Sequence, residues 1–213
     1  AGRLGAARRW PAAALRAIVR GMMKPPIDFY FDFSSPYSYI ASEWVQAVAA
    51  RHGRAVQWRA ILLGATFQAA ELKSPVSYPL KREYSLRDFV RSARFAGVPF
   101  EMPSKFPIPT QNEARVFWWL HDTASPEQAV AWAHAGLRAF FARDVDLSDT
   151  SALQALLKES GIDAAAAAAA RQLPFPSPRT RQPATAARSS LPLRREAVAR
   201  PSTPAPTTAR TSV

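Results

Sequence analysis

The sequence predicts an α/β domain that opens with a strand–helix–strand unit and continues as a large helical block. Ile27, Phe29, Phe31 and Phe33 alternate with Asp28, Tyr30 and Asp32, the period of two that marks a half-buried strand. Ser34-Ser35-Pro36 follows at once, and serine before proline is a helix start. A second strand-like run at 56–63 returns after a short link, so the unit should be a parallel pair with a right-handed crossover.

The first helix is expected over residues 36 to 51, because Ile40, Trp44, Val45 and Val48 share one face. Gly53 stops it. A short helix is expected over 66–72, and Ser74-Pro75 and Tyr78-Pro79 break the chain after it. Residues 81–96 read as a helix ended by Gly97 and Pro99, and four prolines make 99–109 a loop. Helices are expected over 112–122, 126–142 and 149–160, and the alanine run 164–170 starts another. A parallel sheet needs more than two strands to stand alone. No third or fourth strand is legible before Ala170, so the fold reads as lacking its C-terminal strands.

A chain of 213 residues is long enough for one domain with a real core. It has no cysteine, which excludes disulfide scaffolds, Cys-ligated metals and any thiol chemistry with its own sulfur. No run approaches the length of a membrane-spanning helix, so no membrane partner is expected. The net charge of +12 suggests nucleic acid until it is located. Residues 1–24 hold six basic residues and no acid, residues 25–170 hold 14 basic and 15 acidic, and residues 171–213 hold eight arginines and one glutamate. The body is near neutral, so no specific nucleic-acid partner is expected. Residues 1–24 read as a basic N-terminal extension, with Met22 or Met23 as the expected translation start. Residues 171–213 have eight prolines and no glycine, which reads as a disordered tail. That composition also fits a frameshift near Ala170 in a GC-rich gene.

The chemistry concentrates where the first strand meets the first helix, the usual ligand position in open α/β sheets. Free N–H groups of a first helical turn favour an anion. Ser35 and Ser38 stand at the spacing of a Cys-x-x-Cys redox site, but neither is cysteine. A hydroxyl there can donate to a thiolate carried by a ligand, and charge-assisted bonds of that kind are strong. By position alone, simple capping is the commoner role for Ser35.

The run from Asp28 to Tyr39 resembles the opening of the 2-hydroxychromene-2-carboxylate isomerases and of the kappa-class glutathione transferases. The similarity continues through Lys73-Ser74-Pro75, Pro79-Leu80-Lys81, Tyr84 to Asp88, and Ala96-Gly97-Val98-Pro99-Phe100 with Pro103. The resemblance implies a thioredoxin-like domain with a helical insertion at about 64–160, and glutathione as cofactor. It makes Ser35 the residue that binds the glutathione sulfur, with Pro36, Tyr37 and Lys73 completing the contact. The thiolate would open the chromene ring of a small aromatic substrate and leave after rotation about a carbon–carbon bond, giving trans-o-hydroxybenzylidenepyruvate. A cytoplasmic homodimer is the implied setting. A kappa-type transferase and a truncated inactive relative are the alternatives. Two departures stand out. Leu72 replaces the asparagine that kappa-class relatives carry before the lysine, and the family's late strand with a cis-proline should lie after Ala170.

Among other residues, His52, His121 and His134 have no metal-ligand spacing. Arg87, Asp88 and Arg91 suggest a salt-bridged helix face, Lys81 an ordinary surface lysine, and Trp118 and Trp119 packing.

Overall fold

The computed structural model describes residues 24–172, 174 and 175. The expectations for residues 1–23 and for nearly all of 171–213, including the late strands, lie outside the described residues.

Strand β1 (Ile27–Phe31) pairs in parallel with β2 (Val56–Ala60), from Ile27 opposite Val56 to Phe31 opposite Ala60. Between them run α1 (Pro36–Ser42) and α2 (Val45–Arg51). After β2 come α3 (Leu63–Ala69), a 3-10 turn at Pro75–Ser77 and α4 (Pro79–Ala96). Then follow α5 (Gln111–Thr123), α6 (Pro126–Arg143), α7 (Thr150–Glu159) and α8 (Ala164–Ala170). The helix ends sit within three residues of the sequence expectation, except that the single helix expected over 36–51 is two.

That break has local and distant causes. The Ser42 hydroxyl donates to the Tyr39 carbonyl at 2.7 Å, taking an acceptor the helical ladder would use. Glu43, the next residue, is held by two bonds from Arg138 of α6 at 2.8 and 2.7 Å. Trp44 then caps the start of α2, with its side chain partly in solvent. The apolar face of the sequence pattern runs on, but the backbone turns.

One face of the β pair meets the helical block. Phe31 packs edge-on against Trp58 and Phe117, with ring centroids 5.3 and 5.2 Å apart. The Trp118 indole donates to the Ala60 carbonyl at 3.0 Å, which ties α5 to the end of β2. Phe33, just past β1, reaches α6 at Gly136. A Cβ at Gly136 would lie 2.7 and 2.9 Å from two Phe33 ring carbons, so the missing side chain is what lets the ring lie there. Burying a phenylalanine in this way contributes about 2–3 kcal/mol. The result is a rigid floor under the end of β1, where the polar turn begins.

Candidate active site

Asp32 follows β1 directly, and the chain turns there because the Ser35 N–H donates to the Asp32 carbonyl at 3.0 Å. Ser35 has extended backbone angles and caps α1, its Oγ accepting from the Ser38 N–H at 3.3 Å. Pro36 occupies the first turn, where it has no N–H to lose. Ser35 is 9% exposed. Its oxygen is engaged, yet no acceptor among the described residues takes its hydroxyl proton. That proton is available to a ligand. Ser38, the other member of the spaced pair, is engaged differently: its Oγ accepts from the Asp32 N–H at 3.2 Å and braces the turn.

Ser35 lines a cavity of about 640 Å³. Its polar wall carries Asp32, Ser34, Ser35 and Thr110; its apolar wall carries Phe67, Val76, Phe89 and Phe106. The polar wall comes from the β1–α1 turn and the start of α5. The apolar wall comes from α3, the 3-10 turn, α4 and the loop after it. Pockets of this size and mixture suit a small ligand oriented by a few polar groups.

Of the residues singled out in the sequence, Ser35, Pro36 and Tyr37 come together in this lining. Tyr37 is 49% exposed, with its ring edge-on to Phe89 at 5.0 Å and its hydroxyl donating to Asp88 of α4. Partial burial, then the Asp88 carboxylate, pushes its phenol up to about 12. Lys73 lies on an exposed stretch beside the lining residue Ser74 and is not itself part of the lining. Leu72 is exposed, and Lys81 sits over the Tyr78 ring at 4.9 Å. Arg91 bonds to Asp88, and Trp118 is buried. His134 is half-buried against Trp58, where burial lowers its pKa. Among the described residues no group of three or more His, Asp or Glu could hold a metal ion.

Sequence reasoning passed over Asp32 and Thr110. The Asp32 carboxylate, 5% exposed, accepts from the Ser34 N–H at 2.6 Å, the Leu63 N–H at 2.7 Å and the Thr110 hydroxyl at 3.2 Å. Burial raises its pKa against the pull of those bonds. An acid at the inward end of an aromatic strand was the available signal. Phe89 and Phe106 had none, because their joining is tertiary.

The family model of the DSBA-like thioredoxin domain matches residues 26–175. A 2-hydroxychromene-2-carboxylate isomerase of Pseudomonas putida is 29% identical over 135 residues, covering 62% of this chain and 64% of that protein. The glutathione S-transferase kappa 1 of Caenorhabditis elegans is 35% identical over 83 residues, covering 38% of this chain and 37% of that protein. The chain thus spans under two thirds of the length of both. A solved structure of a 2-hydroxychromene-2-carboxylate isomerase superposes with a TM-score of 0.59 at 24% identity, covering 68% of this chain and 70% of that one.

Proposed function

The chain belongs to the family of DSBA-like thioredoxin domains, and we propose that it is a glutathione-dependent isomerase acting on 2-hydroxychromene-2-carboxylate or a close aromatic relative. The observation that carries this reading is the Ser35 hydroxyl: braced through its oxygen, free through its proton, and placed at a cavity in a chain without cysteine. A thioredoxin-type site that has lost both sulfurs can still serve sulfur chemistry if the sulfur arrives with a ligand. Isomerases and a kappa transferase among the relatives support glutathione as that ligand.

The fit is chemical. A cavity of about 640 Å³ has room for the cysteinyl part of glutathione and a bicyclic aromatic together. Glutathione, when bound, supplies the thiolate that adds to the substrate and departs again. Ser35 donates its proton to that sulfur, stabilising the anion through a charge-assisted bond. Pro36 holds the turn so that the donor needs no reorganisation. Phe67, Phe89 and Phe106 exclude water around the aromatic ring, which strengthens every polar contact inside. Tyr37, fixed by Asp88, closes the rim. Glutathione is held reduced in the cytosol, which is where this activity belongs. No helix among the described residues is long and apolar enough to cross a membrane.

The nematode match supports a second reading, a kappa-type transferase. Turnover separates the two, since isomerisation returns glutathione and conjugation consumes it.

The test is Ser35→Ala, followed by calorimetric titration with glutathione and by an absorbance assay of chromene isomerisation. The expected result is at least a tenfold loss of kcat/KM, about 1.4 kcal/mol of transition-state stabilisation. An alanine variant with full turnover and unchanged glutathione affinity would leave Ser35 as a helix cap and nothing more.

A further inference from the structure

We propose that Asp32 is a positioning residue, which clamps two separate segments, the start of α3 and the cap of α5, onto the Ser35 turn and so sets where the Ser35 hydroxyl points. The inference rests on the reading of Ser35 as the donor to a ligand sulfur.

The clamp is built from segments far apart in the chain. The carboxylate takes the Ser34 N–H inside the turn, the Leu63 N–H at the start of α3, and the Thr110 hydroxyl at the cap of α5. Two further bonds tie the same knot. The Ser38 Oγ accepts from the Asp32 N–H at 3.2 Å, and the Ser34 Oγ accepts from the Ile108 N–H at 3.1 Å. Asp32, Leu63, Ile108 and Thr110 all belong to the cavity lining. One side chain therefore fixes the polar wall to the loops that carry the apolar wall.

The location of the bonds matters for Ser35. The peptide before it is held through the Ser34 N–H, and the helical turn after it is held through Ser38. Removing the carboxylate leaves the Ser34 and Leu63 N–H groups without acceptors in a part-buried place, and each such orphan is costly. The turn would shift to find new partners. A hydrogen bond tolerates only a few tenths of an ångström before it weakens, and a displacement of about 1 Å at a reacting group can cost about a hundredfold in rate.

A carboxylate in the same cavity also has a charge effect of opposite sign. By repulsion it would oppose a thiolate nearby, so losing the charge alone should favour the thiolate. Losing the position should disfavour it. Three donors already spread the charge of Asp32, so position is the larger effect.

Asp32→Asn separates the two. The amide keeps the shape but turns one acceptor into a donor facing an N–H. The primary readout is the ultraviolet absorbance of the thiolate of bound glutathione, titrated against pH. The expected result is a midpoint raised by about one pH unit, a tenfold weaker ionisation of the thiol. kcat should fall about tenfold while KM for the aromatic substrate stays within about twofold. Thr110→Val, which removes one of the three bonds to the carboxylate, should move the midpoint the same way by less, and it remains informative if Asp32→Asn does not fold. A midpoint that falls or stays put in a cooperatively melting variant overturns the proposal, since Asp32 would then act as a charge or as scaffold. Wild-type protein that fails to bind glutathione in calorimetry sinks the functional reading instead. In that event hydrogen exchange decides on Asp32 alone. The Ser34 and Leu63 amides should both be protected in the wild type, and at least one of them should lose protection in Asp32→Asn, whose amide keeps a single acceptor; equal exchange in wild type and variant would end the clamp.

Discussion

Two buried acids, Asp32 and Glu113, meet opposite fates. Asp32 is 5% exposed and Glu113 is 1% exposed, and burial raises the pKa of both. At Asp32 three donors converge on the carboxylate. At Glu113 the Oε2 atom has no partner, and burial, with the nearby Asp32 charge adding to it, carries its pKa to about 8. The difference comes from the backbone around each. Asp32 stands where a turn and a helix start bring N–H groups with no ladder partner, so its charge is useful to them. Glu113 stands in the first turn of α5 on the face shared with Val116, Phe117 and Leu120. A helix start ordinarily favours an acid, but burial among those side chains outweighs it. A buried carboxyl is thus a structural clamp where loops supply donors, and a protonated passenger where a helix face does not.

Phe33 joins the two regions, so it is the place to break the contrast. It follows Asp32 directly, and its ring lies 6.4 Å from that of Trp132, whose indole donates to the Glu113 carbonyl at 3.0 Å. Phe33→Ala should destabilise the protein by about 3–5 kcal/mol, the usual range for emptying a dry aromatic site. Gly136→Ala attacks the same contact from the other side and should cost about 1–3 kcal/mol through overpacking. Urea denaturation measures both. Combining Gly136→Ala with Phe33→Leu should cost less than the sum, because a smaller side chain makes room for the new methyl. Strict additivity would mean that the ring and the glycine are not in contact.

Glu113 sharpens the contrast through pH. Unfolded, a glutamate ionises near 4.5; folded, Glu113 holds its proton up to about 8. Between those values the native state binds the extra proton. Stability from this group is therefore full below about pH 4.5, is lost as pH rises to about 8, and is level above. Glu113→Gln carries no proton to lose. It should be more stable than wild type by roughly 4 kcal/mol at pH 8 and indistinguishable near pH 4. Melts at the two pH values check this, and a gap that does not change with pH would show that Glu113 is not the protonated group.

The sequence already contained most of this architecture. Period-two aromatics placed β1, glycine and proline placed the helix ends, and the serine before Pro36 located the turn. The fold class needed only those signals, because each is local. The break at Glu43 was hidden because its anchor, Arg138, is 95 residues away. Asp32 was in plain view as the polar end of a strand, yet its three donors come from residues 34, 63 and 110 and cannot be read from any one segment. Glu113 is legible from helical spacing alone. An acid three, four and seven residues ahead of Val116, Phe117 and Leu120 is on the wrong face of an amphipathic helix, which announces either a partner or a proton.

Asp88 supplies the third case, a carboxylate with donors that themselves stay open to water. It accepts from Tyr37 and from Arg91, and the Tyr37 and Arg91 bonds hold its pKa below the ordinary range. Because water reaches the pair, breaking it should barely touch stability. Tyr37→Phe should leave the melting temperature within about 2 °C of wild type. The effect should appear instead in the phenol itself. Folding raises the Tyr37 pKa from about 10 to about 12, so any stability it lends is present below pH 10 and lost as pH climbs toward 12. Asp88→Asn removes the charge that opposes ionisation. The ultraviolet titration of tyrosinate should then advance for one tyrosine toward its ordinary value, and Tyr37→Phe should delete that same late step. If Asp88→Asn left the late step in place, burial against Phe89 alone would be holding the phenol protonated. Solvent access would then govern Tyr37 as it governs Glu113, and donors would matter only where, as at Asp32, there is no water to replace them.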